Sequence, residues 1–424
     1  MRRWTWLLLK MARKLWFRAA LFSLLAAVTA LVAAVIAPFI PYHISATIGA
    51  EAVDNILGIL ASSMLTVTTF SLTTMVSAYG AATSNVTPRA TTLLIEDDTA
   101  QNALSTFLGT FLYSIVGIIA LSTGVYGENG RVVLFVVTIG VIAWIAITLL
   151  RWIGHLASFG QVGETTRRVE REAMRALAEW IATPNMGGRA GGGTPPGASP
   201  VYPPATGYVE HVDMNALSAA ARESGGHVHL AVLPGAFVHP REAIAWLTGA
   251  ADDDCRRAAQ RAFTIGPNRT FGHDPRFGLI VLTEIASRAL SPGINDPGTA
   301  INVLGAGTRV LVAWAEALPL VTPDRPQHPD VYVPSLATDD LFDDAFRPIA
   351  RDGAAMVEVG VRLQKALAVL ACYPAAEVRS AALRHSRDAL ARAEAALDLD
   401  GDKTVLADLA RRVEAQARQD AATD

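Results

Sequence analysis

Only two cysteines occur in 424 residues, Cys255 and Cys372, and they lie far apart. That scarcity excludes a disulfide framework and a thiol-based metal cluster, and it suits a reducing compartment. Charge is scarce as well: 18% of residues are charged against 51% hydrophobic, and the net charge is only −3. No basic bias and no zinc-finger spacing invites nucleic acid. There is no P-loop, no dinucleotide-binding glycine pattern after a strand, no nucleophile elbow and no His/Glu metal motif. An enzyme, a cofactor and a bound metal are therefore not expected.

The shortage of charge is concentrated in the first 155 residues. Four runs there, 19–41, 56–79, 103–125 and 132–150, meet the length of about 20 apolar residues that a hydrocarbon core demands. Their interiors contain no Asp, Glu, Lys, Arg or His. This argues against a proton pump or a carrier that uses an intramembrane carboxylate. The first run is about twice as long as a signal-peptide core and has no clear small-x-small site close behind it, so it reads as an anchor that stays.

Basic residues set the expected orientation. Arg2, Arg3, Lys10, Arg13, Lys14 and Arg18 precede the first run, whereas residues 42–55 carry neither Lys nor Arg. The positive-inside rule then places both termini in the cytoplasm, with a bacterial inner membrane as the location and the bilayer as partner. Within residues 1–18, Trp4, Leu7, Leu8, Met11 and Leu15 repeat at helical spacing among the basic residues. That pattern suits either an interfacial helix on the inner leaflet or a simple basic flank.

The second run is crowded with hydroxyls. At about 100° per residue, Asn55, Ser62, Thr66, Thr69, Thr73 and Ser77 fall in one narrow sector. In a homo-oligomer this stripe would ring a weakly selective pore. Packing against another helix is the alternative, since Ser and Thr let backbones approach, and Thr68, Ser71 and Thr74 lie off the stripe. Glu96, Asp97 and Asp98 form a lone acidic triplet, which reads as a solvated helix start before a cation site.

The remainder is ordinary polar sequence. A helix is expected over 156–182, then a Gly/Pro-rich stretch over 183–204 that serves as a flexible connector or an ordered loop excursion. An α+β domain follows over 205–320, with strands at Tyr208 to Val212, His227 to Leu233 and Ala236 to Val238, and a helix at Met214 to Glu223. His227 and His229 share one strand face, but no further ligand completes a metal pattern. A helical region over 335–418 completes the chain, with helices from Met356, Val378 and Thr404.

The densest local signal spans Phe263 to Leu304. His273-Asp274-Pro275 and Asn295-Asp296-Pro297 each place an Asp to cap a helix and a Pro at its first position. Ser291-Pro292-Gly293-Ile294 turns between them, giving a helical hairpin. Arg269, Arg276 and Arg288 lie close in sequence to Asp274 and Asp296 and suit buried pairing. Capping is the simpler role for this group; recognition of an anion at a helix N-terminus is the alternative. Arg89, Arg269, Asp274, Asn295, Asp296 and Thr299 are thus the ligand or structural candidates.

Thr87-Pro88-Arg89, Phe107 to Tyr113, Gly207-Tyr208-Val209, Arg269-Thr270 with Asp274, and above all Ala289 to Pro297 resemble the bacterial membrane proteins grouped as domain of unknown function 2254. The likeness covers nearly the whole chain, although the stretch before Val201 is longer and looser than that family suggests. It implies a membrane protein with a cytoplasmic domain and no assigned activity. Two functions follow from the residues: an oligomeric ion or small-solute channel with a regulatory domain, or a membrane-anchored sensor or scaffold that binds a ligand or protein.

Overall fold

The computed structural model describes residues 50–421, apart from 96, 124–126, 158 and 319–325, together with isolated positions 20, 21, 24, 28 and 32. It divides into two compact units. Among the described residues, the smaller holds those of 50–84 and 91–164 and the larger those of 85–90 and 165–421.

The smaller unit is built on α1 (Ala50–Asn85), α3 (Asp98–Ser122) and α4 (Gly127–Leu156); α2 (Pro88–Ile95), between α1 and α3 in the chain, has its first residues in the larger unit. Segments Ala52–Thr83, Asp98–Ser122 and Leu134–Leu156 are long and apolar enough to cross a membrane. They contain or overlap the last three expected runs. The first run, 19–41, and the basic segment 1–18 lie outside the described residues but for those isolated positions, so the described residues hold three such helices where four were expected.

One face of α1 packs inward. Val53, Leu57, Ala61, Met64, Ser71, Met75 and Ala82 are buried at spacings of three, four or seven, which is the signature of a single helical face. Met64, Met75 and Ala82 meet Ala103, Leu104 and Phe107 of α3 and Ile145 and Trp152 of α4. Gly117 permits the close approach of Leu57, whose Cδ1 would lie 3.0 Å from any added Cβ. Two polar bonds tie the helices: Trp152 Nε1 donates to Ser71 Oγ at 2.9 Å, and Tyr113 Oη lies 3.0 Å from Thr138 Oγ1. Both are buried, where an unmade bond would cost most. Asp97 is no solvated acid: it caps α3 by accepting from Ala100 N–H at 2.7 Å, lies 2.9 Å from His155 Nε2, and its side chain is almost buried.

The larger unit begins its main stretch within α5 (Val162–Ala182). The Gly/Pro-rich stretch then contributes two short strands, β1 (Gly188–Ala190) and β2 (Ser199–Val201). After them come β3 (Gly207–Val212), α6 (Met214–Glu223), β4 (Val228–Leu230), β5 (Phe237–Val238), β6 (Ala245–Leu247), α7 (Asp253–Arg261), β7 (Phe263–Gly266), α8 (Phe277–Ala289), α9 (Pro297–Ala317) and β8 (His328–Val333). Four more helices close the described chain: α10 (Thr338–Asp352), α11 (Val357–Ala371), α12 (Ala376–Ala396) and α13 (Asp400–Ala421).

Two sheets form the α+β part. A mixed five-stranded sheet runs β1-β8-β4-β6-β2, and an antiparallel three-stranded sheet runs β5-β3-β7. Val228, Leu230, Ala245, Leu247, Val331 and Val333 point from the larger sheet into one core with Leu217, Ala220 and Ala221 of α6. Strand β8 lies beyond the expected end of this domain at 320. Conversely α8 and α9 pack on α10 and α11, because their own sequences are too apolar to leave exposed.

Candidate functional site

All six stripe residues, Asn55, Ser62, Thr66, Thr69, Thr73 and Ser77, lie on α1 and are exposed among the described residues. Four hydroxyls are satisfied by their own helix: Ser62 donates to Gly58 O at 3.1 Å, and Thr66, Thr69 and Thr73 donate to Ser62 O, Leu65 O and Thr69 O at 2.9 Å. Such bonds let hydroxyls face lipid, another helix or water alike.

The charged candidates separate into distinct roles. Arg269 grips Asp274 with two bonds, Nε to Oδ2 at 2.7 Å and Nη2 to Oδ1 at 3.0 Å. Asp274 Oδ1 also accepts from the N–H groups of Arg276 and Phe277, both at 3.1 Å, so it caps α8 from two residues before the N-cap, which is Arg276; Pro275 lies ahead of the helix and not, as expected, at its first position. Asp296 is the N-cap of α9, accepting from Thr299 N–H at 3.0 Å and Thr299 Oγ1 at 2.6 Å. These bonds hold the Asp296 carboxyl below the usual aspartate range. Asn295 precedes it in the left-handed region at φ 51°. The two Asp-Pro turns therefore cap separate helices. His229 stacks flat on Tyr332, with centroids 4.4 Å apart, and burial, then His227, lowers its pKa. No group of three metal-ligating side chains occurs among the described residues.

Arg89, Arg276 and Arg288 meet elsewhere. They line a cleft of about 710 Å³ in the larger unit, together with Arg347 and Arg351 of α10. Glu284, Asp343 and Asp344 share its walls. Three segments build it: Val86 to Arg89, one face of α8, and one face of α10. On α8, Arg276, Ile280, Thr283, Glu284 and Ser287 recur at three- and four-residue spacing, so a single helical face supplies them.

Ion pairs hold the walls together. Arg89 pairs with Glu284, which also accepts from Thr87 Oγ1 at 2.9 Å. Arg276 bridges to α10, donating to Asp344 at 2.7 and 3.1 Å and to Asp340 at 2.5 Å. Burial nevertheless raises the Asp344 carboxyl above its ordinary value, with the Arg276 hydrogen bond pulling the other way. Burial also pushes Asp343 up, but Arg384 and Arg347 outweigh it and hold that carboxyl below the usual range. Arg351 pairs with its neighbour Asp352. Only Arg288 lacks a carboxylate: its Nε is fully buried with no hydrogen-bond partner among the described residues.

Sequence reasoning anticipated pairing for Arg276 and Arg288 with Asp274 or Asp296. The structure sends Arg276 to α10 and leaves Arg288 alone. Asp343, Asp344, Arg347 and Arg351 lie within the helical region expected over 335–418, on a helix, α10, that was not among those singled out there. The available signal was the apolar spacing of Leu341, Phe342, Ala345, Phe346 and Ile349.

The chain belongs to the predicted membrane protein family DUF2254, whose model matches residues 12–369. Uncharacterised proteins of Mycobacterium tuberculosis and Mycobacterium bovis are each 27% identical over 263 residues, covering 59% of this chain and 50% of the relative. The chain thus spans about half the length of the curated relatives it matches. No solved structure matches it.

Proposed function

We propose that this membrane protein is an anchored sensor or scaffold whose larger unit, on the cytoplasmic side of a bacterial inner membrane, binds a ligand in the arginine-lined cleft. The cleft itself carries this reading. Its volume of about 710 Å³ falls within the range of about 300–1,000 Å³ typical of small-molecule sites. Val86 to Arg89 form part of its wall and directly follow α1 in the chain, so a ligand held there acts on residues joined covalently to an apolar helix. Binding that favoured one arrangement of this segment would bias whatever the helix does.

Native mass spectrometry of the full chain released from membranes tests the idea. A bound small molecule is expected on the wild type and lost from Ser287→Trp, which fills the cleft. An adduct that survives Ser287→Trp, or none on the wild type, would sink the proposal.

A second reading, an oligomeric and weakly selective pore, is favoured by the outward stripe from Asn55 to Ser77. Flux of small ions into liposomes holding the full chain, reduced by Thr66→Leu and Thr69→Leu, would support it. A closed ring of subunits is required, and a monomer in detergent and in bilayer would rule it out.

A further inference from the structure

Arg288 occupies an unusual position: a guanidinium half-buried in a cleft, its Nε sealed from solvent, without a carboxylate. A charge taken out of water without a partner destabilises the fold that holds it. The other four arginines of the cleft are each matched by an acid. Two of these matches are loose. Arg347 and Arg351 keep 54% and 62% of their side chains exposed, and their partners are Asp343 on the same helix and the adjacent Asp352. Exposed pairs of this kind are weak, so both guanidiniums are free to exchange toward a better acceptor.

Five arginines and three carboxylates line the walls, and Asp340 and Asp352, outside the lining, pair with Arg276 and Arg351; Arg288 is left without an acid, and Arg347 and Arg351 are held only by exposed pairs. A phosphate monoester carries about −1.5 to −2 at neutral pH and offers three acceptor oxygens. Guanidinium groups bind such oxygens through paired hydrogen bonds. A carboxylate, with one charge and two oxygens, offers too few acceptors to engage Arg288 and a second guanidinium in paired bonds at once. The cleft is also far larger than a phosphate, and Val86, Pro88, Ile280 and Pro348 supply apolar wall. We infer that the cleft takes a phosphomonoester group on a larger molecule, with Arg288 as its anchoring cation and Arg347 or Arg351 closing over it. The phosphate belongs either to a soluble metabolite or to a lipid headgroup. This deepens the ligand-binding reading above and rests on it.

The test uses the full chain in uncharged detergent and in phosphatidylcholine nanodiscs. Adenosine monophosphate is titrated in the first, and phosphatidic acid is included in the second; succinate serves as the dicarboxylate comparison. A rise in melting temperature with adenosine monophosphate, weakened at least tenfold by Arg288→Gln and partly retained by Arg288→Lys, supports the assignment and names a soluble source. The same Arg288-dependent rise with phosphatidic acid alone supports it and names a lipid. Stabilisation by succinate but by neither phosphate overturns the phosphate class while leaving a ligand-binding cleft. No response to any probe overturns the phosphate class as well, and the mass-spectrometric adduct then decides independently whether the cleft binds anything. Arg288→Gln also removes an unpaired, half-buried charge, so the ligand-free variant should melt no lower than wild type; a clear drop would return Arg288 to a structural role.

Discussion

Arg269 and Asp274 form a two-point ion pair in which the acid keeps only 3% of its side-chain exposure. The same carboxylate receives the first amides of α8, and Gly235, at φ +92°, leaves room for it: an added Cβ would lie 2.0 Å from Asp274 Oδ2. Removing either partner strands a buried charge. Asp274→Ala and Arg269→Met should each cost about 3 kcal/mol or more in chemical denaturation of the full chain. Gly235→Ala should be comparably damaging. If these variants instead unfold like wild type, the pair is not structural.

Asp296 predicts a smaller and pH-dependent effect. As an exposed N-cap its replacement by Ala should cost about 1 kcal/mol, while Asp296→Asn should cost little. The hydrogen bonds from Thr299 depress its folded pKa. Its charge-dependent contribution is therefore fully present above the unfolded value of about 3.9 and lost as pH falls through the folded value. Melting temperatures measured between pH 2 and 6 should fall on acidification by less in Asp296→Asn than in the wild type.

These two turns show what was legible in the chain. Asp296-Pro297 announces its helix because both cap residues are local, and Met214 to Glu223 begins and ends where its periodicity does. The apolar runs declare themselves by length alone. Strands β1 and β2 did not: each is only three residues long, Gly-Arg-Ala and Ser-Pro-Val, with little strand propensity, and only pairing with β8 and β6 makes them strands. The cleft was hidden for a related reason. Its walls come from residues 86–89, 276–288 and 343–351, and nothing in local pattern shows that these meet.

His385 should act as an acid-sensitive element of the helical region. Its ring is buried against Phe342 and Phe346, 3.0 Å from Asp343 Oδ1. Burial, then Arg384, pushes its pKa down to about 4, although Asp343 pulls the other way. The unfolded chain, with a histidine pKa of about 6.5, binds more protons between those values. Stability from this residue therefore rises with pH across that window and is lost on acidification, by up to about 3 kcal/mol. Unfolding followed from pH 4 to 7 should be flatter for His385→Leu; an unchanged slope would show that the imidazole is already solvated.

The apolar helices offer a direct contrast between hydroxyls that bind helices together and hydroxyls that do not. Ser71 is buried and receives the indole N–H of Trp152, so Ser71→Ala leaves a buried donor unpaired and should destabilise the full chain by about 1–3 kcal/mol. Thr66 and Thr69 are exposed and already bonded to their own backbone. Thr66→Leu and Thr69→Leu should each change the stability of a single chain by less than about 0.5 kcal/mol. Any larger effect of these two must come from something outside the described helices, such as a second copy covering the stripe. Denaturation of detergent-solubilised protein at several concentrations separates the cases: a stripe buried between copies makes the Thr66→Leu effect concentration-dependent, whereas a lipid-facing stripe leaves it near zero throughout.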